Sequence, residues 1–327
     1  MLESHAEEQT FDSVTAECDL PLCHTYFPLG FPFELRTNSS GVLAAAAEAW
    51  SQFRQASHEP PVRLALAVSA GDAVPAAPTS KFCWNAHLMS MIADPENFLI
   101  CDFNLGFAFA SVTQRVAADH SFLRYRFLTP AANLLLQQRY LAPLHGALIA
   151  RNGRGVLLCG ESFAGKSTLA YACARAGWIF ISDDATFLVR SREDLYAVGD
   201  PHTIRFREDS RHLFPELAHW LTIVRPNGKL AIEVFTRHLP VKIAGGHSID
   251  HVVFLNRQPA SASRVKPFSR ARALEAWEFY TRFSNRDSRA DQRASYERLL
   301  ELTIVEMTYS GLDDALTCLE SLVGSGD

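Results

Sequence analysis

Residues 145–184 read HGALIARNGRGVLLCGESFAGKSTLAYACARAGWIFISDD, and the rest of the chain is arranged around this stretch. Gly160, Gly165, Lys166 and Ser167 satisfy the spacing G-x-x-x-x-G-K-[ST], after the apolar run Val156 to Cys159 and before a helical pattern. Strand, glycine-rich turn and helix in that order predict a phosphate-binding loop. Glycines let the backbone curl so that consecutive N–H groups face one anion; the following helix adds its positive dipole end, and Lys166 adds a full charge. The candidate nucleotide contacts are therefore Gly160, Glu161, Ser162, Phe163, Ala164, Gly165, Lys166, Ser167 and Thr168, with the Ser167 hydroxyl available to Mg²⁺.

Working outward, the spacing predicts a helix from Ser167 to Ala176, closed by Gly177, and a strand from Trp178 to Ile181 that ends in Ser182, Asp183 and Asp184. Acidic residues at a strand's end, one helix and one strand after a phosphate loop, are placed to hold a metal nucleotide. Adjacent residues of a strand point to opposite faces, so both carboxylates can face one site only if the strand ends at Ser182. Upstream, the turn Arg151-Asn152-Gly153-Arg154 joins two apolar runs. His145 then starts a hairpin whose second strand delivers the loop, and the register decides whether His145 comes near the γ-phosphate.

These residues resemble the HPr kinase/phosphorylase family. Its pattern is a His-Gly opening a hairpin, a G-[ED]-S-G-x-G-K-S loop, a helix, a glycine, a strand and a paired Asp-Asp. Here these are His145-Gly146, Gly160 to Ser167, Gly177, and Asp183-Asp184, in the same order and spacing. The resemblance covers 144–207 in detail, the remainder to the C-terminus loosely, and says little about the first 120 residues. It implies an α/β fold, a P-loop kinase domain of the HPr kinase C-terminal (PEP carboxykinase-like) type; the helix start at Thr129-Pro130 places this domain at 129–327, with a smaller α+β N-terminal domain at 1–128. It further implies ATP and Mg²⁺ as cofactors and a Ser or Thr hydroxyl of a protein or peptide as acceptor. Asp183 would be the catalytic base, Ser167 and Asp184 the metal ligands, and His145 a further catalytic candidate. Self-association as a homo-oligomer stays open.

Two departures bear on activity. Phe163 stands where the family has glycine, putting a bulky side chain beside the phosphates. The family's I-R-G-x-G stretch, tied to dephosphorylation, is missing; the segment here runs Asp200-Pro201-His202-Thr203-Ile204-Arg205-Phe206-Arg207, a strand expected to lead toward the nucleotide end of the sheet. Forward transfer without phosphate-driven reversal is the expectation, with Arg205 or Arg207 as candidates to neutralise the transferred phosphate. A small-molecule kinase and a nucleotide-gated binding protein without transfer are the alternatives.

Composition narrows the partners. The chain has 327 residues, 48% apolar and 20% charged, which suits one large α/β domain plus a smaller one. A net charge of −5 offers no long basic stripe and argues against nucleic acid. No apolar run approaches membrane-spanning length, and the acidic start MLESHAEEQTFD is unlike a signal peptide, so a cytoplasmic protein without a membrane partner is expected. Seven scattered cysteines contain no C-x-x-C pair; Cys159, beside the loop, reads as a small core residue.

Elsewhere the patterns predict an extended arm to Thr37, a helix from Gly41 to Gln55 and a strand at Val62 to Val68. An antiparallel meander follows over Leu88–Ile92, Phe98–Asp102, Phe107–Val112 and Phe122–Phe127, then a helix opened by Thr129-Pro130 and ended by Pro143. Further on come hairpins over 185–198 and 221–234, a buried strand His251 to Leu255, and a helix from Ser269 to Phe283 with Tyr280 in its core stripe. A strand Leu302 to Tyr309 and a closing helix Leu312 to Val323 complete the chain.

Overall fold

The computed structural model describes residues 18–73, 81–225, 228–259, 262–282 and 284–324. The acidic start of the chain, the end of the Ala/Pro/Gly-rich loop before residue 81, Asn227 of the second hairpin turn and Phe283 lie outside the described residues.

The first layer pair uses β1 (Leu22–Tyr26), β2 (Phe33–Thr37), α1 (Ser40–Trp50), β3 (Val62–Ser69), β4 (Lys81–Asn85), β5 (Leu88–Ile92), β6 (Phe98–Asp102) and β7 (Phe107–Thr113). They form a seven-stranded sheet in the order β1-β2-β3-β7-β6-β5-β4, antiparallel from β7 to β4 as the alternation predicts. Met89, Met91, Leu99, Cys101, Ala108 and Ala110 turn inward every second residue. Helix α1 stops at Trp50, five residues before the expected Gln55, because the Ala56 and Ser57 N–H groups both donate to Gly30 O and draw the chain away.

The fourth expected strand, Phe122 to Phe127, is helical. Short helices α2 (Gln114–Ala118) and α3 (His120–Leu123) lead through a π-helical turn, Arg124–Leu128, into α4 (Thr129–Arg139). A short aromatic run fits either period; Asp119 decides it by accepting from Phe122 N at 2.9 Å, and Leu123, Phe127 and Leu128 bury one side. Thr129-Pro130 therefore continues a helical path instead of opening one. The turn widens next to Pro130, which has no N–H for the regular ladder. Helix α4 buries Ala131, Ala132, Leu135 and Leu136 in the first core.

The second unit runs β8 (Leu141–Arg151), β9 (Arg154–Cys159), α5 (Lys166–Arg175), β10 (Ile179–Ser182), β11 (Ala185–Val189), β12 (Tyr196–Gly199), β13 (Thr203–Phe206), β14 (Thr222–Val224) and β15 (Leu230–Phe235). It continues with β16 (Lys242–Ile243), β17 (Gly246–Ser248), β18 (His251–Arg257), β19 (Arg264–Pro267), α6 (Arg270–Glu278), α7 (Arg286–Leu299), β20 (Thr303–Tyr309) and α8 (Leu312–Val323). The main sheet has the order β17-β12-β11-β8-β9-β18-β20-β19, with β10 on β8 and β16 on β10. Strands β9, β18 and β20 are parallel neighbours, so their C-terminal ends share one edge. Helices α5 and α8 cover one face, α6 and α7 the other. The architecture is mixed α/β.

Three sequence expectations change here. Pro143 does not end a unit; it lies inside β8, where the first half pairs only with β11 and β9 joins from Gly146 onward. On that open side Pro143 O accepts the Tyr296 hydroxyl at 2.8 Å, and the missing N–H breaks no ladder. Strand β13 joins a separate three-stranded sheet, β13-β15-β14, instead of the main one. Helix α7 escaped the apolar pattern because the face it buries is largely polar: Ser288 Oγ donates to Gln138 O at 2.6 Å and Gln292 Nε2 to Gln137 O at 2.9 Å. No helix among the described residues is long and apolar enough to cross a membrane.

Candidate active site

The glycine loop leaves β9 at the edge where β18 and β20 also end. Gly160 holds φ 148° and Gly165 φ 91°. A Cβ on Gly165 would stand 2.2 Å from Tyr309 Oη, whose proton goes to Ala164 O at 2.6 Å, so the end of β20 closes on the loop from behind. Gly165 is the N-cap of α5 and no side chain covers the first turn, which leaves its N–H groups turned to the loop. Lys166 is 7% exposed; its Nζ reaches Gly160 O at 2.9 Å, Glu161 O at 3.3 Å and His145 Nε2 at 3.2 Å. Burial lowers its pKa, against the pull of Asp184, Cys159 and Asp183.

Asp183 and Asp184 join β10 to β11 while both strands run along β8. The pairing continues across the junction, Ser182 opposite Leu148 and Ala185 opposite His145, and Gly146 N donates to Asp184 O at 2.9 Å. Two buried hydroxyls brace this crossing. Ser182 Oγ accepts from Leu148 N at 3.1 Å, Thr186 Oγ1 donates to Gly146 O at 2.8 Å, and the two oxygens lie 2.5 Å apart. Since Thr186 has given its proton to the carbonyl, Ser182 is the donor between them. Gly146 has no room for a side chain: a Cβ there would stand 2.8 Å from Leu158 O.

Strand β10 ends at Ser182 as the site requires, yet the two carboxylates part, because the short junction of Asp183 and Asp184 is held along β8 on both sides. Asp183 is 5% exposed, and its Oδ2 accepts from Arg205 N at 2.9 Å while its carbonyl takes the Ser167 hydroxyl at 3.3 Å. Burial pushes its pKa up to about 6 against the opposing pull of Arg205. Asp184 is exposed, with Oδ1 3.3 Å from His145 Nδ1. His145 thus lies between Asp184 on Nδ1 and Lys166 on Nε2. That arrangement holds it neutral, its proton on Nδ1, and burial lowers its pKa.

The structure brings the loop, Lys166, Ser167, Asp183, Asp184 and His145 together, adds Tyr280 and Tyr309, which the sequence did not single out for the site, and of the two arginine candidates sets Arg207 against the loop. Tyr280 leaves the core stripe expected of it, since the helix ends at Glu278 in a tight turn; its ring lies 4.9 Å from that of His145. Arg207, one residue past β13, holds its guanidinium carbon 3.5 Å from the Phe163 ring centroid. Tyr309 carried no signal beyond its place at a strand end. A cleft of about 880 Å³ extends from the loop and His145 over the end of β18 to α6, with Asn256, Arg257, Arg272 and Trp277 in its walls. Cys159 is buried with its thiol pushed up to about 12, a core residue and not a nucleophile.

Uncapped N–H groups at the start of α5 and a buried ammonium that burial disfavours both fit an anionic phosphate chain. Among the described residues no three His, Cys, Asp or Glu side chains are grouped to hold a metal ion. A divalent cation here would take Ser167 Oγ, a carboxylate and phosphate oxygens, the donor set Mg²⁺ prefers.

The class these features define is a mixed α/β protein with a glycine loop facing a carboxylate pair at the ends of parallel strands. Among known families, the model described as "SynChlorMet cassette protein ScmC" matches residues 118–204. The HPr kinase/phosphorylase of Caldicellulosiruptor bescii is 36% identical over 83 residues, 24% of this chain and 26% of that protein, so the chain spans about a quarter of the curated relative's length. The Hpr(Ser) kinase/phosphatase structure from Coxiella burnetii aligns over 55% of this chain and 87% of that one, at 14% identity and a TM-score of 0.29, too low to carry a fold assignment. The similarity to HPr kinase/phosphorylase is thus distant and partial, and the matching family model is a different one.

Proposed function

We propose that the chain is an Mg·ATP-dependent phosphotransferase acting on a Ser or Thr hydroxyl of a protein or peptide. The observation that carries this reading is Asp183: a buried carboxylate whose pKa is pushed up to about 6, tied through its own carbonyl to Ser167 of the loop. A general base works best with a pKa near the working pH, and burial tunes this one. ATP supplies the phosphoryl group and Mg²⁺ neutralises its charge when bound. The loop N–H groups and Lys166 hold phosphate oxygens; Ser167 and Asp184 hold the metal; Asp183 accepts the proton of the acceptor hydroxyl. His145, fixed between Asp184 and Lys166, orients both instead of acting as the base, since its free nitrogen already faces the ammonium.

The division at residue 129, with 1–128 as a unit of unassigned role and 129–327 handling nucleotide, belongs to this proposal, with α4 packed back into the first core, as do the P-loop kinase fold and the cytoplasmic setting. The distant similarity to the HPr kinase/phosphorylase of Caldicellulosiruptor bescii supports a protein acceptor. Labelled γ-phosphate supplied as Mg·ATP, with cell extract as acceptor, tests the reading: transfer to a protein band sensitive to phosphoserine hydrolysis is expected. Label in a small molecule alone establishes the alternative kinase, and tight ATP binding without transfer establishes the binding protein.

A further inference from the structure

Phe163 combines three features that do not belong together in an ordinary loop residue. Its backbone sits at φ 75°, a region glycine enters freely and other residues enter only at a cost. Its ring is 73% exposed, so burial does not offset that cost. It also lines the cleft at the glycine loop, with the Arg207 guanidinium 3.5 Å over its ring. Neighbouring arginines are paired, Arg205 with Glu233 and Arg211 with Glu208, whereas among the described residues no carboxylate pairs with Arg207.

We infer that Phe163 is a positioning residue, which holds the Arg207 cation at the mouth of the loop to receive the terminal phosphate of a nucleoside triphosphate. The inference rests on the reading of the loop as a phosphate site. A guanidinium stacked on a ring uses its face and keeps its in-plane N–H donors free, so Arg207 can rest on Phe163 and still bind an anion through its edge. Stacking also restricts a long side chain before the ligand arrives, which lowers the entropy lost on binding. A glycine at 163 would relax the loop backbone and release the arginine.

The test is calorimetric titration of the full chain with ATP and with ADP, both in Mg²⁺, for wild type, Phe163→Gly, Phe163→Tyr, Arg207→Ala and the double variant Phe163→Gly/Arg207→Ala. Arg207→Ala should weaken ATP about tenfold while leaving ADP within about twofold. Phe163→Gly should weaken ATP about two- to fivefold, again sparing ADP, and Phe163→Tyr should match wild type. In the Arg207→Ala background the effect of Phe163→Gly should vanish, because the ring then has nothing to position. A Phe163→Gly effect that persists undiminished in that background, that falls equally on ATP and ADP, or that strengthens ATP binding overturns the inference. Wild type that binds neither nucleotide overturns the phosphate-site reading itself, and a separate melting curve for each variant confirms that it is folded.

Discussion

The two sheets of this protein follow the same layer rule and end in very different surfaces. In the first, β4 to β7 form an antiparallel meander whose β4–β5 and β6–β7 connections share an edge, where Phe103 N donates to His87 O at 2.9 Å, while β2, β3 and β7 run parallel. In the second, β9, β18 and β20 run parallel, and their C-terminal ends deliver the glycine loop, Arg257 and Tyr309 to one edge. Both sheets thus hold three parallel neighbours, and only the second carries a glycine loop at the shared strand ends. The surfaces agree: Leu88, Ile92 and Ile100 remain exposed on the meander, while the second sheet is covered on both faces by helices.

The sharpest break in the comparison should come at the carboxylate pair. Asp183→Asn keeps the side chain's shape and its bond from Arg205 N but cannot accept a proton. Turnover should fall on the order of 10²- to 10⁴-fold, about 3 to 5 kcal/mol, with little change in ATP affinity. Asp184→Asn should raise the Mg²⁺ requirement and be partly rescued by added metal, since an amide oxygen is still a weak ligand. Steady-state rates across a Mg²⁺ series separate the two; identical metal responses would place the proton acceptor elsewhere.

The first sheet should respond in the opposite currency. Leu99→Ala, in the core of the meander at 0% exposure, should lower unfolding free energy by about 2–5 kcal/mol without altering nucleotide affinity. Chemical denaturation and calorimetry read both quantities, and a lost affinity at unchanged stability would tie the first sheet to the site. Lys166→Ala should do the reverse: ATP binding weakened by about 1.5–3 kcal/mol, the loss of a charge-assisted contact, with the melting temperature held or raised because a buried ammonium is removed.

What could be read from the sequence, and what could not, divides along similar lines. The order strand, loop, helix, strand across 145–184 was legible because glycine, lysine and the apolar runs each impose a local geometry. The parting of Asp183 from Asp184 was not, since it depends on β10 and β11 both continuing along β8, a pairing between distant segments. Helix α7 was hidden by Ser288 and Gln292, which bury polar atoms against the end of α4 and the start of β8, and by Ser295, buried with its hydroxyl on Asp291 O of the same helix, so that only Tyr296 and Leu299 are left as an apolar signal. Arg205 and Arg207 read as equal candidates for a phosphate; only the fold pairs Arg205 with Glu233 and sets Arg207 over Phe163.

The smallest expected effect concerns Asp183 as a charge and not as a base. Its carboxyl has a reference pKa of 3.8 and is pushed up to about 6 in the folded protein, chiefly by burial. The folded state therefore favours the protonated form. The stability this contributes is fully present below the unfolded value and is lost as pH rises through the folded one. Between pH 5 and pH 7.5, in chelator and without nucleotide, wild type should lose about 1 kcal/mol that the Asp183→Asn variant keeps, a gap of about 2–4 °C in melting temperature that opens with pH. Arg205, Asp200 and Asp184 face this carboxyl in both proteins, so the difference between the two curves isolates it. Parallel melting curves across that range would show that the carboxyl is not held in its protonated form, and the tuned base of the second sheet would lose its physical footing.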